Sequence, residues 1–373
     1  MANLTFHQPY DLLDPDAGFE DSIKFSPVQV DISDGNRTTS YFGSFAMSNL
    51  SDPDSITGTI TGFDLRDGGV LKVSMRGLDV DVETLDNESQ TEADDLVYFL
   101  RGADSLFGSS GDDKLMGFGG NDQIDGGAGQ DTAFFTAALA NYTITRNGGA
   151  TVVSDRSGGD GTDTLTNVEK LQFSDKSINL TVDELAGHIS ASNLKLLEEL
   201  YVAFFNRVPD ADGLGYWIGQ LRGGMTINQI ADLFYAAGVQ YSALTGYSAS
   251  MSNADFVNVV YRNVLGRSEG ADAEGLAYWS ARLDSGAESK GALVQSILGS
   301  AHTFKGNATW GWVADLLDNK AYVAHEFAVD MGLNYLNPQE SISRGMQIAA
   351  AVTPTDTDAA IALIGINPAN IDI

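Results

Sequence analysis

The sequence has no cysteine among its 373 residues. Disulfide bonds, thiolate metal sites and cysteine nucleophiles are therefore excluded. A secreted protein without disulfides needs another staple, usually a bound metal ion. The chain is long enough for two to four domains, and 43% of its residues are hydrophobic, so it can bury real cores.

Basic residues are scarce. The chain carries 21 Lys and Arg against 51 Asp and Glu, which gives a formal net charge of −30. Such a charge repels nucleic acid and anionic membrane surfaces, so we expect neither as a partner. It suits the binding of many divalent cations and keeps a protein soluble in salty surroundings.

Long apolar runs are also missing. No stretch approaches the roughly 20 apolar residues of a membrane span, so we expect no membrane insertion. The N-terminal segment "MANLTFHQPYDLLDPDAGFED" lacks the basic region and apolar run of a cleavable signal peptide. If the protein leaves the cell, we expect a route that does not depend on the N-terminus.

Familiar catalytic patterns are absent from the sequence. The four histidines, His7, His188, His302 and His325, are scattered and form no His-Glu-x-x-His zinc helix. Neither a Gly-x-Ser-x-Gly elbow nor a phosphate-binding loop occurs. Acidic residues are abundant, so a catalytic carboxylate pair stays open as an alternative. We expect that the protein is not an enzyme.

A nine-residue pattern is what the sequence does have, four times in a row from residue 99 to residue 134. Its units are "FLRGADSLF", "GSSGDDKLM", "GFGGNDQID" and "GGAGQDTAF". Each places a glycine two residues before an aspartate and an apolar residue two residues after it. The aspartates are Asp104, Asp113, Asp122 and Asp131, and the apolar residues are Leu106, Leu115, Ile124 and Ala133.

The spacing predicts a parallel β-roll. Glycine permits a tight turn, the aspartate points into that turn, and the apolar residue lies on a short strand that faces the interior. Because turns alternate between two sides, Asp104 should pair with Asp122, and Asp113 with Asp131. Each turn then supplies backbone carbonyls and a carboxylate, the oxygen ligands that calcium prefers. About two complete sites are expected from this arrangement.

At these residues the sequence resembles the RTX family of calcium-binding nonapeptide repeats, whose consensus is Gly-Gly-x-Gly-x-Asp-x-apolar-x. The fourth unit meets the consensus almost fully, and the first lacks the leading glycines. The resemblance implies Ca²⁺ as the cofactor. Besides the four aspartates, the candidate metal-site residues are Gly102, Ser109, Gly111, Phe118, Gly120, Gly127 and Gly129.

A fifth match, "GGDGTDTLT" with Asp163, stands apart at residues 158–166. It could bind calcium together with Asp155 or Asp160, or it could be a hairpin turn. The intervening "NYTITRNGGATVVSD" predicts a hairpin around an Asn-Gly turn, and "VEKLQFSD" predicts a further strand. This segment resembles the tail that caps RTX rolls, so we expect the roll and its cap over residues 96–182.

Residues 1–95 predict strands, in a β-sandwich-like domain or a small sheet. The strand segments are "SIKFSPVQVDIS", "TTSYFGSFAMS", "ITGTITGFDL" and "GVLKVSMRGLDVDV", with turns at "DGN", "SDPDS" and "RDGG". No motif in this region carries chemistry. At under 100 residues it is too short for most of the protease and lipase folds that precede RTX rolls.

Helical spacing follows, in a segment that repeats itself. "LYVAFFNRVPDADGLGYWIGQL" from Leu200 matches "VYRNVLGRSEGADAEGLAYWSARL" from Val260, and both carry Gly-Leu-x-Tyr-Trp. The signature resembles a bacterial family known as domain of unknown function 4214, over residues 190–305. Relatives of that fold occur in surface-layer and surface-anchored proteins.

Within this duplicated segment three features admit a sharper interpretation. "DADG" at 210–213 lacks the later EF-hand ligands, so we expect Asp210 or Asp212 to cap the next helix, with Arg207 nearby. The spacing of Trp217 predicts a core residue. Trp310 and Trp312 lie outside the repeat and are better candidates for exposed, ligand-facing rings.

The last segment, 306–373, predicts two or three short helices, among them "NKAYVAHEFAVDMGLNY" at 319–335, and ends in "NPANIDI". A tail of small, apolar and acidic residues fits the uncleaved signal used by type I secretion machinery, the route of RTX proteins. An ordinary helical tail is the alternative. Export by this route would account for the missing N-terminal signal.

Together these patterns predict a multidomain α+β protein. An N-terminal all-β domain (1–95) precedes a calcium-binding β-roll (96–182), an all-α domain (190–305) and a helical C-terminal segment (306–373). We expect a secreted surface or matrix protein whose partner is a cell-surface glycan, a lipopolysaccharide or another copy of itself. The alternatives are a secreted effector, such as a toxin or bacteriocin, and, less favoured, a hydrolase.

Overall fold

The computed structural model describes residues 3–6, 22–26, 28–34, 37–48, 56–88 and 92–373. The chain divides into two compact units, which we name unit 1 (Met1–Asp175 with Ala369–Ile373) and unit 2 (Lys176–Pro368). Strands dominate unit 1 and helices dominate unit 2, so the predicted α+β class with a β-rich first part is confirmed. The finer boundaries predicted at residues 95, 182, 190 and 305 stay predictions.

The described N-terminal strands form one antiparallel run in the order β1-β6-β5-β4-β3-β2, and β1 also pairs in parallel with the strand Ser105–Phe107 of the repeat region, so the run is part of a twelve-stranded sheet. Leu4 and Met75 face each other across β1 and β6 and are fully buried. The strands are β1 (Asn3–Phe6), β2 (Ser22–Ser26), β3 (Gln29–Asp34), β4 (Arg37–Met47), β5 (Ile56–Asp67) and β6 (Val70–Asp81).

Two details of this region differ from the sequence expectation. The segment 22–33 is two paired strands rather than one; its sequence contains Pro27, which has no amide hydrogen for a continuous ladder. Two short helices, α1 (Val82–Glu88) and α2 (Glu92–Phe99), follow β6 and were not predicted. The predicted turn at 51–55 lies outside the described residues.

The repeat region forms two parallel ladders, as the nine-residue spacing predicts. One ladder contains β7, β9 and β13, and the other contains β8, β10 and β14. The strands are β7 (Ser105–Phe107), β8 (Lys114–Leu115), β9 (Gln123–Asp125), β10 (Thr132–Phe134), β11 (Tyr142–Asn147), β12 (Ala150–Asp155), β13 (Thr162–Thr166) and β14 (Lys170–Gln172).

Apolar side chains fill the interior of this roll. Each strand of the two ladders contributes one of them, and none is more than 2% exposed. In each unit the aspartate stands two residues before the buried apolar residue, at the turn. Because alternate residues of a strand face opposite sides, the aspartate points to the same side as that apolar residue. The buried residues are Leu106, Ile124 and Leu165 in one ladder and Leu115, Ala133 and Leu171 in the other.

The predicted hairpin is present as β11 and β12, but its turn is shifted by one residue. Asn147 pairs with Ala150, so the two turn residues are Gly148 and Gly149, with φ of 56° and 101°. Two consecutive positive φ values are the requirement of a two-residue type I′ turn, which glycine meets without strain. The hairpin continues into β13, which also belongs to the roll.

Unit 2 is a helical bundle with one small antiparallel pair of strands, β15 (Lys176–Asn179) and β16 (Leu333–Tyr335). Its helices are α3 (Val182–Gly187), α4 (Ala191–Phe205), α5 (Ala211–Arg222), α6 (Ile227–Gln240), α7 (Ser242–Thr245), α8 (Asn253–Asn263), α9 (Ala273–Asp284), α10 (Lys290–His302), α11 (Gly311–His325), α12 (Pro338–Ala351) and α13 (Asp358–Ile364). Among the described residues, no helix has both the length and the apolar character of a membrane span.

The duplicated segment appears as two similar sets of helices. Trp279 is 8% exposed in the second half, and Trp217 in the first is half-buried against the ring of Phe234 at 4.9 Å. Trp217 is therefore less enclosed than predicted. Trp312 is 36% exposed, whereas Trp310 is half-buried under the guanidinium of Arg267.

Two further expectations for unit 2 need correction. Asp210 occupies the N-cap position of α5, but its carboxylate accepts no helix amide and instead binds Arg207 and Ser341. The predicted helix over 319–335 ends early: α11 passes into a π-helical turn at Glu326–Asp330, and Leu333–Tyr335 is a strand because it pairs with β15.

The end of the chain belongs to unit 1. Residues Ile371–Asp372 form β17, which pairs in parallel with β11 at the edge of the sheet. Ile371 lies opposite Ile144 and is 8% exposed. The segment predicted as a secretion signal is thus a paired strand in the folded chain.

Candidate calcium site

Carboxylates stack along both edges of the roll, one turn above another. On the first edge, the amide of Asp104 donates to Oδ1 of Asp122 at 2.8 Å, and the amide of Asp122 donates to Oδ1 of Asp163 at 2.9 Å. We name Asp104, Asp122 and Asp163 the first column. The predicted pairing of Asp104 with Asp122 is confirmed.

The second edge repeats the arrangement. The amide of Asp113 donates to Oδ1 of Asp131 at 2.8 Å, and the amide of Asp131 donates to Oε2 of Glu169 at 2.8 Å. We name Asp113, Asp131 and Glu169 the second column. The predicted pairing of Asp113 with Asp131 is also confirmed, while Glu169 was not predicted.

Asp163 lies beside the hairpin turn between β12 and β13, which was one of the alternatives, and it also has a neighbour that was not expected. Asp163 pairs with Asp122 because β13 continues the ladder of β9, so the fifth match is a further turn of the roll. Asp160 instead accepts hydrogen bonds from Thr136 and from the hydroxyl of Tyr142. Asp155 binds the amides of its own turn, at residues 157, 159 and 160.

One sequence signal unites both columns. Each carboxylate stands two residues before a buried apolar residue, and this holds for Asp163 before Leu165 and for Glu169 before Leu171. The inserted hairpin between β10 and β13 interrupts the nine-residue period, so a search for the period alone stops at Asp131. A search for an acidic residue two positions before the apolar residue of a predicted strand would have found Glu169.

The middle carboxylates of the columns are enclosed and incompletely bonded. Asp122 and Asp131 are 0% and 1% exposed. Oδ2 of each has no hydrogen-bond partner among the described residues. A buried carboxylate oxygen without a partner is costly, and a cation is the usual compensation. These two oxygens mark where a positive charge fits.

Glycine provides the room beside them. A Cβ atom on Gly117 would lie 2.1 Å from Oδ2 of Asp122, and one on Gly126 would lie 2.7 Å from Oδ2 of Asp131. Any side chain at either position would therefore occupy the space that faces the unpartnered oxygen. The leading glycines of the third and fourth units are required by this close approach.

Backbone carbonyl oxygens crowd the same turns. A Cβ atom on Gly120 would lie 2.0 Å from the carbonyl oxygen of Gly102, and one on Gly127 would lie 2.2 Å from that of Ser109. The predicted turn residues thus lie in the turns that carry the two columns. Gly102, Phe118 and Gly120 lie in the turns of the first column, and those of the second column contain Ser109, Gly111, Gly127 and Gly129.

Phe118 departs from the glycine pattern. Its φ is 61°, in the left-handed region, and the corresponding residue one unit later is Gly127, with a φ of 90°. A bulky residue in this region is strained, so the turn holds Phe118 in a conformation that the consensus assigns to glycine.

The electrostatics of the columns favour a bound cation. Burial raises the pKa of Asp122 from 3.8 to about 7, and the nearby charge of Asp104 adds to the rise. Burial likewise raises the pKa of Asp163 to about 8 and that of Asp131 to about 6. Negative charge is unfavourable at each of these carboxylates without a counter-charge, which a divalent ion would supply.

The donor set fits calcium. Among the described residues no three His, Cys, Asp or Glu side chains converge on one point; the turns offer successive carboxylates together with backbone carbonyl oxygens. Calcium takes six to eight oxygen ligands, with carbonyls among them, whereas zinc prefers nitrogen and sulfur. Which residues hold each ion stays a proposal.

Comparison with known families accounts for these turns. Residues 100–133 match the RTX calcium-binding nonapeptide repeat, in four copies. The chain carries RTX repeats. RTX repeats bind calcium and are typical of secreted calcium-binding proteins, so Ca²⁺ is the cofactor of this protein.

Residues 241–306 match the domain of unknown function DUF4214, which covers the second half of the duplicated segment. No curated protein is significantly similar to the chain. Among solved structures, the extracellular lipase LipA from Serratia marcescens is similar to 20% of this chain, at 24% identity and a TM-score of 0.13. The match spans 13% of that lipase, and it carries no argument about activity.

Proposed function

We propose that the protein is an exported surface or matrix protein whose roll folds when it binds calcium outside the cell. The observation that supports this most directly is the pair of carboxylate columns, each with a buried middle oxygen that has no hydrogen-bond partner in the part of the chain that the structure describes. Extracellular calcium modules bind with affinities of about 0.1–1 mM, well above cytosolic calcium. The roll would therefore lack its ions before export and acquire them afterwards.

Type I secretion is the route we propose. The C-terminal segment carries the small, apolar and acidic residues expected of an uncleaved signal, and in the folded chain Ile371 is buried against Ile144. A signal in that strand is accessible only while unit 1 is unfolded. Low cytosolic calcium would keep it so, because the columns then lack their counter-charge.

The helical unit is the part that we propose binds a partner, a cell-surface glycan, a lipopolysaccharide or a second copy of the chain. Its two similar halves offer two related surfaces, and a repetitive ligand gains from both by effective concentration. Exposed aromatic rings support this role: Tyr216 and Tyr278, at equivalent positions, are 58% and 54% exposed. Exposed apolar surface of this kind is typical of sites that bind a partner.

Retention on cells tests the proposal. The secreted protein is incubated with cells of its source at millimolar calcium, washed with or without chelator, and measured in the bound and free fractions. We expect calcium-dependent retention, with release by chelator. The double variant Asp122→Asn with Asp131→Asn should be released at calcium concentrations that retain the unmodified chain, because the amides keep the shape and remove the charge.

A protein that never associates with cells or with itself at millimolar calcium would contradict the surface role. Killing or lysis of target cells by that same protein would then favour the secreted effector. Turnover of ester or peptide substrates by the purified chain would point to the hydrolase instead.

A further inference from the structure

The two halves of the helical segment contain the same small constellation. In the first half Arg207 forms an ion pair with Asp210 at 2.8 Å and lies over the ring of Tyr201 at 5.4 Å. In the second half Arg267 pairs with Asp272 at 3.0 Å and lies over Tyr261 at 5.3 Å. The halves therefore present equivalent arginine–aspartate pairs on an aromatic base.

Helix α12 covers the pair in the first half. The hydroxyl of Ser341 lies 3.0 Å from Nη1 of Arg207 and donates to the carboxylate of Asp210 at 2.6 Å from Oδ2. Gly345, one turn later, packs against the Arg207 side chain, where an added Cβ atom would lie 3.2 Å away. The first pair thus binds a hydroxyl group that helix α12 brings to it.

The second pair differs at its carboxylate, while the side chain of Arg267 is as buried as that of Arg207, at 17% exposed. Arg267 and Asp272 line an open cavity of about 630 Å³, together with Tyr278, Ser300, Phe304 and Trp310. The side chain of Asp272 is 52% exposed, against 20% for Asp210. The volume lies within the usual range of small-molecule sites, about 300–1,000 Å³.

Aromatic rings surround this second pair. Trp310 lies over Arg267, with the guanidinium carbon 4.3 Å from the ring centroid. Tyr278 is 54% exposed and Phe304 is 38% exposed. Exposed rings beside a charged pair leave both an apolar face and a hydrogen-bonding edge available to a ligand.

We propose that this cavity binds one sugar ring of a glycan. Its hydroxyl groups would contact Arg267 and Asp272, as the Ser341 hydroxyl contacts Arg207 and Asp210, and its apolar face would pack on Tyr278. A sugar presents both features on one rigid ring: hydroxyls that donate to a carboxylate and accept from a guanidinium, and a face of C–H groups. The inference rests on the proposed surface role and assigns its ligand to the second half only.

The test uses the full-length protein in calcium and an array of bacterial polysaccharides and lipopolysaccharides, followed by titration with the methyl glycosides of the sugars in the bound glycans. Tyr278→Ala should weaken binding about tenfold, the usual cost of losing a central aromatic contact. Arg267→Lys should weaken binding similarly, because lysine keeps the charge but loses the planar fork. Tyr241→Ala removes an exposed ring of the same unit that lies outside the cavity lining; it is the control and should bind like the unmodified chain.

Several results would overturn the sugar site. One is that no glycan on the array binds; another is that Tyr241→Ala weakens binding as much as Tyr278→Ala. Self-association that Tyr278→Ala abolishes, without glycan binding, would assign the cavity to a helix of a second copy. Retention of Tyr278→Ala on cells distinguishes the sugar site from the surface role. If this variant is retained in calcium like the unmodified chain, the sugar site is wrong and the surface role still stands.

Discussion

The amide of Asp122 donates to the carboxylate of Asp163 at 2.9 Å, although 41 residues separate them in the chain. Asp122 also accepts from the amide of Asp104, so it is the middle member of its column. If one cation lies between each two successive carboxylates of the column, Asp122 contacts two cations and Asp163 contacts one. The position in the column therefore determines how much calcium each substitution removes.

We predict that Asp163→Ala lowers the calcium stoichiometry by about one ion per chain and Asp122→Ala by about two. Titration calorimetry on the full-length variants gives the numbers. Asp160→Ala serves as a control, since Asp160 is hydrogen-bonded to Thr136 and Tyr142 and lies in neither column. Equal losses for Asp122→Ala and Asp163→Ala would show that the columns do not hold ions in this way.

Gly117→Ala should reduce calcium affinity strongly, because its Cβ atom would lie 2.1 Å from Oδ2 of Asp122. Gly102→Ala is the matched control: its nearest neighbour would be Oδ2 of Asp104 at 4.0 Å, so the carbonyl of residue 102 is kept and no atom is displaced. Calcium titrations of both variants measure the difference. If Gly102→Ala loses as much affinity as Gly117→Ala, the space beside Asp122 is not part of a site.

Removal of calcium should affect the two units differently. All four tryptophans, Trp217, Trp279, Trp310 and Trp312, belong to unit 2, so tryptophan signals follow that unit alone. Chelator should reduce the β signal in far-ultraviolet dichroism while the near-ultraviolet tryptophan bands persist. Loss of the tryptophan bands at the same chelator concentration would show that unit 2 also depends on calcium.

The pair Glu198–His325 predicts a pH dependence for unit 2. Oε1 of Glu198 lies 2.8 Å from Nδ1 of His325. Burial raises the pKa of Glu198 above 4.5, and the hydrogen bond to Glu198 raises the pKa of His325 above 6.5. In both cases the folded state keeps its proton to higher pH than the unfolded state does, so the unfolding free energy should fall as pH rises through these ranges.

Urea unfolding at fixed calcium, followed by tryptophan fluorescence at several pH values, measures this slope. His325→Gln should flatten the fall above pH 6.5, the ordinary histidine value. His188→Gln changes an exposed histidine of the same unit and is the matched control. A curve that His325→Gln leaves unchanged would assign the slope to other groups.

Lys320 is a buried charge in α11. It is 7% exposed and has no ion pair in the part of the chain that the structure describes, and burial lowers its pKa from 10.5 to about 8. Between these two values the unfolded state alone holds the proton, so stability should rise with pH there. At neutral pH the ammonium is destabilising, and Lys320→Met should stabilise unit 2 by about 1–3 kcal/mol.

The same urea unfolding assay checks Lys320→Met. Lys305→Met is the contrasting variant, because Lys305 is exposed and bonded to Asp315 and Asp318, and it should destabilise slightly. A loss of stability in Lys320→Met would mean that the buried ammonium has a role that its burial does not show.

The roll could be predicted from the sequence because every unit carries its own turn glycine, carboxylate and core residue. The sequence did not indicate that Asp163 lies beside Asp122, and it did not indicate Glu169 at all, because the β11–β12 hairpin separates both residues from the regular nine-residue period. Residues 333–335 were predicted to be helical because their strand form depends on β15, over 150 residues earlier in the chain. Local patterns predict local elements, while distant pairing overrides them.

Strand β17 gives unit 1 an unusual order of assembly. A chain that leaves the ribosome from its N-terminus presents β11 long before Ile371 and Asp372, because all of unit 2 is synthesised between them. If β11 folded before residue 372 was available, it would offer an open edge to which another strand could add. Unit 1 therefore receives its last strand only after all of unit 2 has been synthesised.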